Sequence, residues 1–211
     1  MPRTVFEPGQ RIVFIGDSIT DCGRRDEAPP YGEGYMNLVR CFVTARQPDL
    51  GLQWTNRGVS GDTVRDMSAR WPADALALEP HWLSVMIGIN DVWRRFDGAP
   101  ELAVPLDEYR ETLRGLLRQA VDSTGCRLVL ATPYLIEPDR DEPQRAMSDG
   151  YVAAVAALAV EFDAVFVDTQ AEFDRVLTDT APGDWADDRV HPNLAGHAVL
   201  ADAFLRALSR T

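Results

Sequence analysis

A serine, a histidine and an aspartate occupy positions from which they could act together on a substrate. Ser18 follows the apolar run Ile12 to Ile15 and a glycine, a pattern that predicts a buried strand ending in a sharp turn. A serine hydroxyl is a poor nucleophile until an imidazole accepts its proton, and the imidazole in turn needs a carboxylate to fix its tautomer. Taken alone, Ser18 could equally be the N-cap of the next helix.

Only one of the three histidines is placed to serve Ser18. His81 precedes a predicted strand and should lie at its amino end, away from Ser18, while His197 falls inside the last predicted helix, where it would be packed or solvated. His191 lies in a loop, and Asp188 stands three residues before it. This spacing lets both side chains meet within one turn. An isolated Asp-x-x-His pair is nevertheless a weak signal.

Acyl transfer also requires hydrogen-bond donors where the carbonyl oxygen becomes negative. Gly61 could offer a main-chain N–H without an obstructing side chain, and Asn90 a carboxamide N–H. Taken singly, the glycine is typical of a turn and the asparagine of an Asx-turn. Both follow predicted strands, so their combination with Ser18 predicts a site for nucleophilic acyl transfer.

Strands and helices alternate along the chain, which predicts parallel strands joined by right-handed crossovers between two layers of helices. The strands are predicted at residues 12–15, 52–56, 82–87, 127–132 and 165–167. The main helices are predicted at residues 35–46, 64–71, 106–121, 144–162, 171–177 and 194–208. The carboxyl ends of parallel strands share one edge, where open sheets of this kind hold their sites. With no repeat or linker, residues 1–211 are expected to form one domain.

Charge and composition limit the possible partners. The chain has 21 basic and 33 acidic residues, a net charge of −12, which disfavours nucleic acid and anionic membranes. No apolar stretch reaches the length of a signal peptide or a membrane span, so a cytoplasmic protein is expected. Cys22, Cys41 and Cys126 are odd in number and lack metal-type spacing, so free thiols are expected, with Cys22 as a packing residue.

Four blocks of the sequence resemble those of the SGNH (GDSL-like) esterase and lipase family, and together they span nearly the whole chain. The blocks are Gly16-Asp17-Ser18, Ser60-Gly61-Asp62, Gly88-Ile89-Asn90-Asp91 and Asp188-x-x-His191. The resemblance implies a flavodoxin-like three-layer α/β/α sandwich around five parallel strands. It also implies Ser18 as nucleophile, His191 as base and Asp188 as the carboxylate that orients it. The oxyanion hole would comprise the Ser18 and Gly61 N–H groups and Asn90, with no metal or other cofactor.

Longer segments at residues 16–24, 56–66 and 86–94 are similar to bacterial intracellular acetyl-xylan esterases of the SGNH family. Those enzymes remove acetyl groups from xylo-oligosaccharides. The resemblance implies a small acetylated sugar as substrate, no nucleic-acid or membrane partner, and a homo-oligomer. Asp187 departs from the pattern, because an aromatic residue is expected there, and this difference bears on loop packing and oligomer geometry.

Trp93, Arg94 and Phe96 follow Asn90 closely and could line a pocket of sugar size. Aromatic faces stack on pyranose rings, and arginine donates hydrogen bonds to hydroxyl groups. Trp93 fits the role of a core residue equally well. The sequence therefore predicts Trp93 and Arg94 as substrate-binding residues and leaves the packing alternative open.

Other functions remain to be weighed against an esterase. A standard α/β-hydrolase is disfavoured, because Ile19-Thr20 follows the serine where that motif requires a glycine. A lysophospholipase or thioesterase on the SGNH fold would need a long apolar acyl groove, which this short, charged chain does not show. A non-catalytic carbohydrate-binding module would not need every catalytic position filled. A metal hydrolase would draw on scattered residues without ligand spacing, namely Asp17, Asp21, Asp91 and His191.

Overall fold

A five-stranded parallel sheet forms the centre of the computed structural model, which describes residues 3–209. The strands are β1 (Arg11–Gly16), β2 (Gln53–Gly58), β3 (Trp82–Met86), β4 (Arg127–Ala131) and β5 (Val165–Val167). Their order across the sheet is β2-β1-β3-β4-β5, and every neighbouring pair is parallel. The predicted α/β fold with five parallel strands is confirmed.

Helices cover both faces of the sheet. They are α1 (Ser18–Asp21), α2 (Tyr35–Arg46), α3 (Val64–Asp74), α4 (Ile89–Trp93), α5 (Leu106–Thr124), α6 (Pro143–Glu161), α7 (Thr169–Val176) and α8 (Leu194–Ala207). Short 3₁₀ turns lie at Pro48–Leu50, Leu76–Leu78, Pro100–Leu102 and Pro182–Asp184. Within residues 3–209, no helix has both the length and the apolar character needed to cross a membrane.

The apolar run of β1 is explained by burial on both faces of the sheet. Ile12 and Phe14 belong to the core beneath α2, α7 and α8, whereas Val13 and Ile15 belong to the core beneath α3, α5 and α6. Successive side chains of a strand point to opposite faces, so a strand covered on both sides must be apolar throughout. This interior strand brings Ser18 to the carboxyl edge of the sheet.

Strand β2 differs from its predicted bounds, because it begins one residue later and runs two residues further, to Gly58. A Cβ atom at Gly58 would lie 2.1 Å from the main-chain nitrogen of Asp21 and 2.5 Å from the carbonyl carbon of Thr20. Only glycine lets the strand end pass so close to the backbone of α1. The close approach holds the end of β2 against the helix that begins with Ser18.

Candidate active site

Ser18 is the first residue of α1, directly beyond the carboxyl end of β1. Asp17 is the N-cap of this helix, and its carboxylate accepts a hydrogen bond from the main-chain N–H of Ile19 at 3.0 Å. The alternative interpretation of Ser18 as the helix cap is therefore wrong. The Ser18 hydroxyl is instead free to bond the imidazole of His191, with 2.8 Å between Oγ and Nε2.

The other nitrogen of His191 contacts Asp188, with 2.6 Å between Nδ1 and Oδ2. The second oxygen of Asp188 accepts the main-chain N–H groups of Val190 and His191, at 2.9 and 2.8 Å. Partial burial opposes the charged carboxylate, but the bonds from His191 and Val190 outweigh it and hold the pKa of Asp188 below its ordinary value. With a proton on Nδ1, Nε2 can accept the proton of Ser18.

The remaining histidines lie where the sequence predicted. His81 is at the amino end of the sheet, and its Nδ1 accepts the main-chain N–H of Arg11. His197 is buried in α8, where Nδ1 accepts the main-chain N–H of Tyr35 at 3.2 Å. Burial, with a smaller contribution from His191, lowers the pKa of His197 to about 4, so its ring is neutral at neutral pH.

Gly61 and Asn90 reach the same cleft as Ser18 from the ends of β2 and β3, the strands on either side of β1. Gly61 has a φ of +87°, which a residue with a side chain rarely adopts, so a glycine is needed to present the main chain here. Asn90 opens α4 and is buried. Its Nδ2 donates to the carbonyl of Asp62 at 2.9 Å, which fixes the amide and leaves its second N–H for an oxygen in the cleft.

Two buried carboxylates, those of Asp17 and Asp91, support this part of the site, a role that their positions in the sequence do not indicate. Both oxygens of Asp91 accept the main-chain N–H of Val64, at 3.0 and 3.2 Å, which joins α4 to the start of α3. Burial raises the pKa of Asp17 and of Asp91 to about 7, and repulsion between these carboxylates adds to the shift of Asp17. In the sequence, each is simply an aspartate next to a predicted site residue.

The cleft has a volume of about 480 Å³ and is open to solvent. Trp93 and Arg94 line it, as predicted, whereas Phe96 is not among its lining residues and is 42% exposed elsewhere. The Trp93 ring lies 5.5 Å from the His191 ring and also packs against the core. Arg94 bonds Asp97 at 2.9 Å. A larger cavity, of about 660 Å³ near Phe6, contains none of the predicted site residues.

Cys22 is not simply a packing residue, contrary to the sequence-based interpretation. It is half-buried, lines the cleft, and its Sγ lies 3.3 Å from Nε2 of His197. Cys22 is the C-cap of α1, one turn after Ser18, which places its thiol beside the site. Burial raises the pKa of the thiol, which keeps it protonated and weakens it as a nucleophile. Within residues 3–209, no three histidine, cysteine, aspartate or glutamate residues are grouped to hold a metal ion.

The family model of the GDSL-like lipase/acylhydrolase family matches residues 14–199. The chain belongs to this family. Ser18, Gly61, Asn90 and His191, from the four blocks of sequence that resemble the family, line one cleft at the carboxyl edge of the sheet. Membership places the protein among the carboxylic ester hydrolases.

Individual relatives support the same assignment. An acetylxylan esterase of Geobacillus stearothermophilus is 46% identical over 210 residues, which are 95% of this chain and 94% of the relative. The crystal structure of Axe2, an acetylxylan esterase from that organism, superimposes with a TM-score of 0.92 at 44% identity, over 97% of this chain and 96% of Axe2. LAE5, an alpha/beta hydrolase enzyme from the metagenome of Lake Arreo, Spain, superimposes with a TM-score of 0.91 at 41% identity, over 96% of each chain.

Proposed function

We propose that this GDSL-like hydrolase is a serine esterase that removes acetyl groups from xylo-oligosaccharides or related acetylated carbohydrates. The observation that carries the proposal is the continuous hydrogen-bonded series of Ser18, His191 and Asp188 beside the donors Gly61 and Asn90. The similarity to an acetylxylan esterase over 95% of the chain supports the choice of substrate.

In the first half of the reaction, the Ser18 oxygen attacks the acetyl carbonyl carbon while His191 Nε2 takes the hydroxyl proton. The carbonyl oxygen becomes negative and accepts hydrogen bonds from the N–H groups of Ser18 and Gly61 and from the Asn90 carboxamide. Asp188 stabilises the protonated imidazole and keeps its orientation. The bond from the carbonyl carbon to the sugar oxygen then breaks, and His191 returns the proton to that oxygen. The acetyl group remains on Ser18.

In the second half, a water molecule takes the place of the sugar. His191 removes a proton from the water as its oxygen attacks the acetyl carbon, and the same three donors stabilise the second oxyanion. Collapse of this intermediate releases acetate, and the proton on His191 restores the hydroxyl of Ser18. The atoms balance with ester and water as the only reactants, so no cofactor enters either half.

The walls of the cleft favour a polar alcohol over a long acyl chain. Trp93 offers an aromatic face, and Arg94 offers guanidinium N–H groups. Glu27 and Glu33 line the cleft as well, and a carboxylate accepts hydrogen bonds from sugar hydroxyl groups. A fatty acyl chain would have to lie against these charged groups, so the lysophospholipase alternative is disfavoured.

A series of p-nitrophenyl esters from two to ten acyl carbons tests the substrate proposal. In an apolar acyl groove each methylene contributes about 0.8 kcal/mol, so a lipase-like enzyme should improve as the chain grows. The deacetylase should show the opposite trend in kcat/KM, with acetate fastest and acetylated xylobiose faster still. A maximum at eight carbons or beyond would instead favour the lysophospholipase or thioesterase function.

An organophosphonate tests the nucleophile. We expect one covalent group on Ser18, detected by mass spectrometry of the digested protein, and no turnover above background for Ser18→Ala. Modification of Cys22 with Ser18 untouched would contradict the mechanism. Absence of both modification and turnover in the wild-type protein would favour the alternative of a non-catalytic carbohydrate-binding module.

Location, assembly and domain organisation are further parts of the proposal. The resemblance to intracellular esterases supports a cytoplasmic enzyme that acts as a homo-oligomer, with residues 1–211 as one domain. Sedimentation of the purified protein and fractionation of the source cells would test the first two. A monomer across the working concentration range would contradict the homo-oligomer.

A further inference from the structure

The guanidinium of Arg70 bonds the two strand ends behind the candidate oxyanion hole. Arg70 lies on α3, and its Nη2 donates to the carbonyl of Gly16 at 2.9 Å, at the end of β1. Its Nη1 donates to the carbonyl of Arg57 at 2.7 Å, near the end of β2. These carbonyls belong to the strands that lead to Ser18 and to Gly61. One side chain therefore bonds both strand ends, in addition to the ladder that pairs the two strands.

A third bond extends from Arg70 to the loop that carries Gly61. Nε of Arg70 donates to the carboxylate of Asp62 at 2.6 Å, one residue beyond Gly61. The main-chain carbonyl of the same aspartate accepts the bond from Asn90 Nδ2 that fixes the carboxamide. Arg70 is thus connected, through one residue or two, to each of the three proposed oxyanion donors. It is not among the residues that line the cleft.

We propose that Arg70 is a positioning residue for the oxyanion hole. Its planar guanidinium donates in three directions at once, to Gly16, Arg57 and Asp62, and so holds the Ser18, Gly61 and Asn90 donors at the spacing that the oxyanion requires. An oxyanion hole is effective because its donors are already in place when charge develops. Small displacements of such donors reduce the rate strongly. This inference rests on the site roles proposed above.

The carboxylates around Arg70 hold its guanidinium in one orientation. Asp74, one turn further along α3, accepts a second bond from Nη1 at 2.9 Å, so two carboxylates flank the guanidinium. Burial raises the pKa of Asp62, and the bond from Arg70 opposes this shift. Charge-assisted bonds of this kind are shorter and stronger than neutral ones. Lysine cannot reproduce them, because its ammonium is a compact point charge without the planar fork.

Arg65 on the same helix provides a matched control. Its guanidinium is exposed and bonds Glu108 at 2.5 and 2.7 Å. It has no hydrogen bond to either strand end among the described residues. Arg70→Gln and Arg65→Gln therefore remove the same charge from the same helix, and only the first removes the bonds to the strand ends.

The experiment measures kcat and KM for p-nitrophenyl acetate, with functional sites counted by organophosphonate titration. We expect Arg70→Gln to lower kcat per titrated site by about 10- to 100-fold with little change in KM, because the oxyanion exists only after attack begins. Arg70→Lys should fall between the wild type and Arg70→Gln. Arg65→Gln should stay within about twofold of the wild type. Counting sites separates misplaced donors from loss of folded protein.

Two further readouts distinguish positioning from general stabilisation. Against an Asn90→Ala background, Arg70→Gln should lower kcat by only a few-fold, because part of the oxyanion hole is already lost. Added guanidinium should partly restore kcat per site in Arg70→Ala and leave Arg65→Ala unchanged. Unaltered kcat per site in Arg70→Gln, or full additivity with Asn90→Ala, would overturn the inference. If Arg70→Gln does not fold, the same measurements on Arg70→Lys test the positioning role. An inactive wild-type protein would instead refute the proposed function.

Discussion

The candidate site has two halves that are built in different ways. The oxyanion half comprises Ser18, Gly61 and Asn90 at the ends of β1, β2 and β3, and the base half comprises Asp188 and His191 in the loop before α8. Asn90 is 4% exposed. By contrast, the side chains of Asp188 and His191 are 41% and 45% exposed. Ser18 and Gly61 are half-buried, so the oxyanion half lies deeper in the fold than the base half.

The difference in burial follows from the number of groups that each half must bring together. Three donors have to converge on one oxygen, which requires strand ends from distant parts of the sequence to be fixed together. The base needs only one nitrogen at the serine, and a three-residue turn supplies it. Two bonds tie that turn to the segment after β4: the Tyr134 hydroxyl donates to the Val190 carbonyl, and the Ile136 N–H donates to the Arg189 carbonyl. The contact between Asp188 and His191 is therefore local, and these two bonds hold the turn against the rest of the fold.

The largest expected effect comes from the base half, through Asp188→Asn. The amide cannot stabilise the protonated imidazole and can favour the wrong tautomer, so kcat should fall on the order of 10³- to 10⁴-fold. Asp187→Asn is the matched control, since Asp187 is a neighbouring exposed aspartate whose side chain has no contact with His191 among those described. Steady-state kinetics on p-nitrophenyl acetate measure both. If Asp187→Asn proved the more damaging, the orienting role would pass to that residue.

In the oxyanion half, Asn90→Ala should lower kcat on the order of 10²- to 10³-fold with KM nearly unchanged. The reason is that the free N–H of its carboxamide bonds mainly the oxygen that becomes negative. Pre-steady-state measurement of acylation and deacylation should show both steps slowed, since each passes through an oxyanion. A rise in KM alone would make Asn90 a ground-state binding residue and would weaken the distinction between the halves.

The buried carboxylates of the oxyanion half should make the free energy of unfolding depend on pH. The folded-state pKa of Asp91 is raised from 3.8 to about 7, so its contribution to stability is complete below about pH 4 and is lost as the pH rises through about 7. In Asp91→Asn, the drop in the free energy of unfolding between pH 5 and pH 8 should shrink by about 2 kcal/mol. Urea unfolding at both pH values measures it.

Asp187→Asn again serves as the control for this stability measurement, because its carboxylate is exposed. The contribution of His197, whose pKa is lowered to about 4, runs in the opposite direction and is lost as the pH falls. It is common to the wild type and both variants, so it cancels from the comparison. An Asp91→Asn protein with the pH profile of the wild type would show that this carboxyl does not bind a proton on folding.

The smallest expected effect concerns Trp93, which lies between the oxyanion half and the base half. It lies on α4 behind Asn90, and its ring lies 5.5 Å from that of His191. Trp93→Ala should lower kcat/KM for acetylated xylobiose by about tenfold and for p-nitrophenyl acetate by less, because only the sugar uses the full aromatic face. Comparison of the two substrates on one preparation provides the internal control. Equal losses would leave Trp93 with a packing role alone.

The base half and the sheet could be predicted from sequence because their signals are local. Asp188 and His191 are separated by three residues, and the apolar strands and long helices show clear periodicity. Helices α1 and α4 were not predicted, because four or five residues are too few to display a helical period. Phe96 was expected in the cleft from its nearness to Trp93 in sequence, yet the chain turns it outward.

The supports of the oxyanion half could not be predicted, because their partners are distant in sequence. Arg70 lies on an amphipathic helix, where an arginine ordinarily indicates a solvated face. Its carbonyl partners, Arg57 and Gly16, are 13 and 54 residues away. Asp91 is likewise 27 residues from Val64, whose N–H it accepts. No pattern in one sequence reports such contacts, which depend on how the strand ends meet.

The hydrogen bond between Ser18 and His191 joins residues that are 173 positions apart. A ribosome adds about 5 to 20 residues per second, so Ser18 is made roughly 9 to 35 seconds before His191. During that interval the nascent chain has the serine but not the imidazole proposed to activate it. Helix α8, which packs in the same core as α2, is made after the base. A nascent chain shorter than 191 residues therefore cannot hydrolyse an ester by the proposed mechanism.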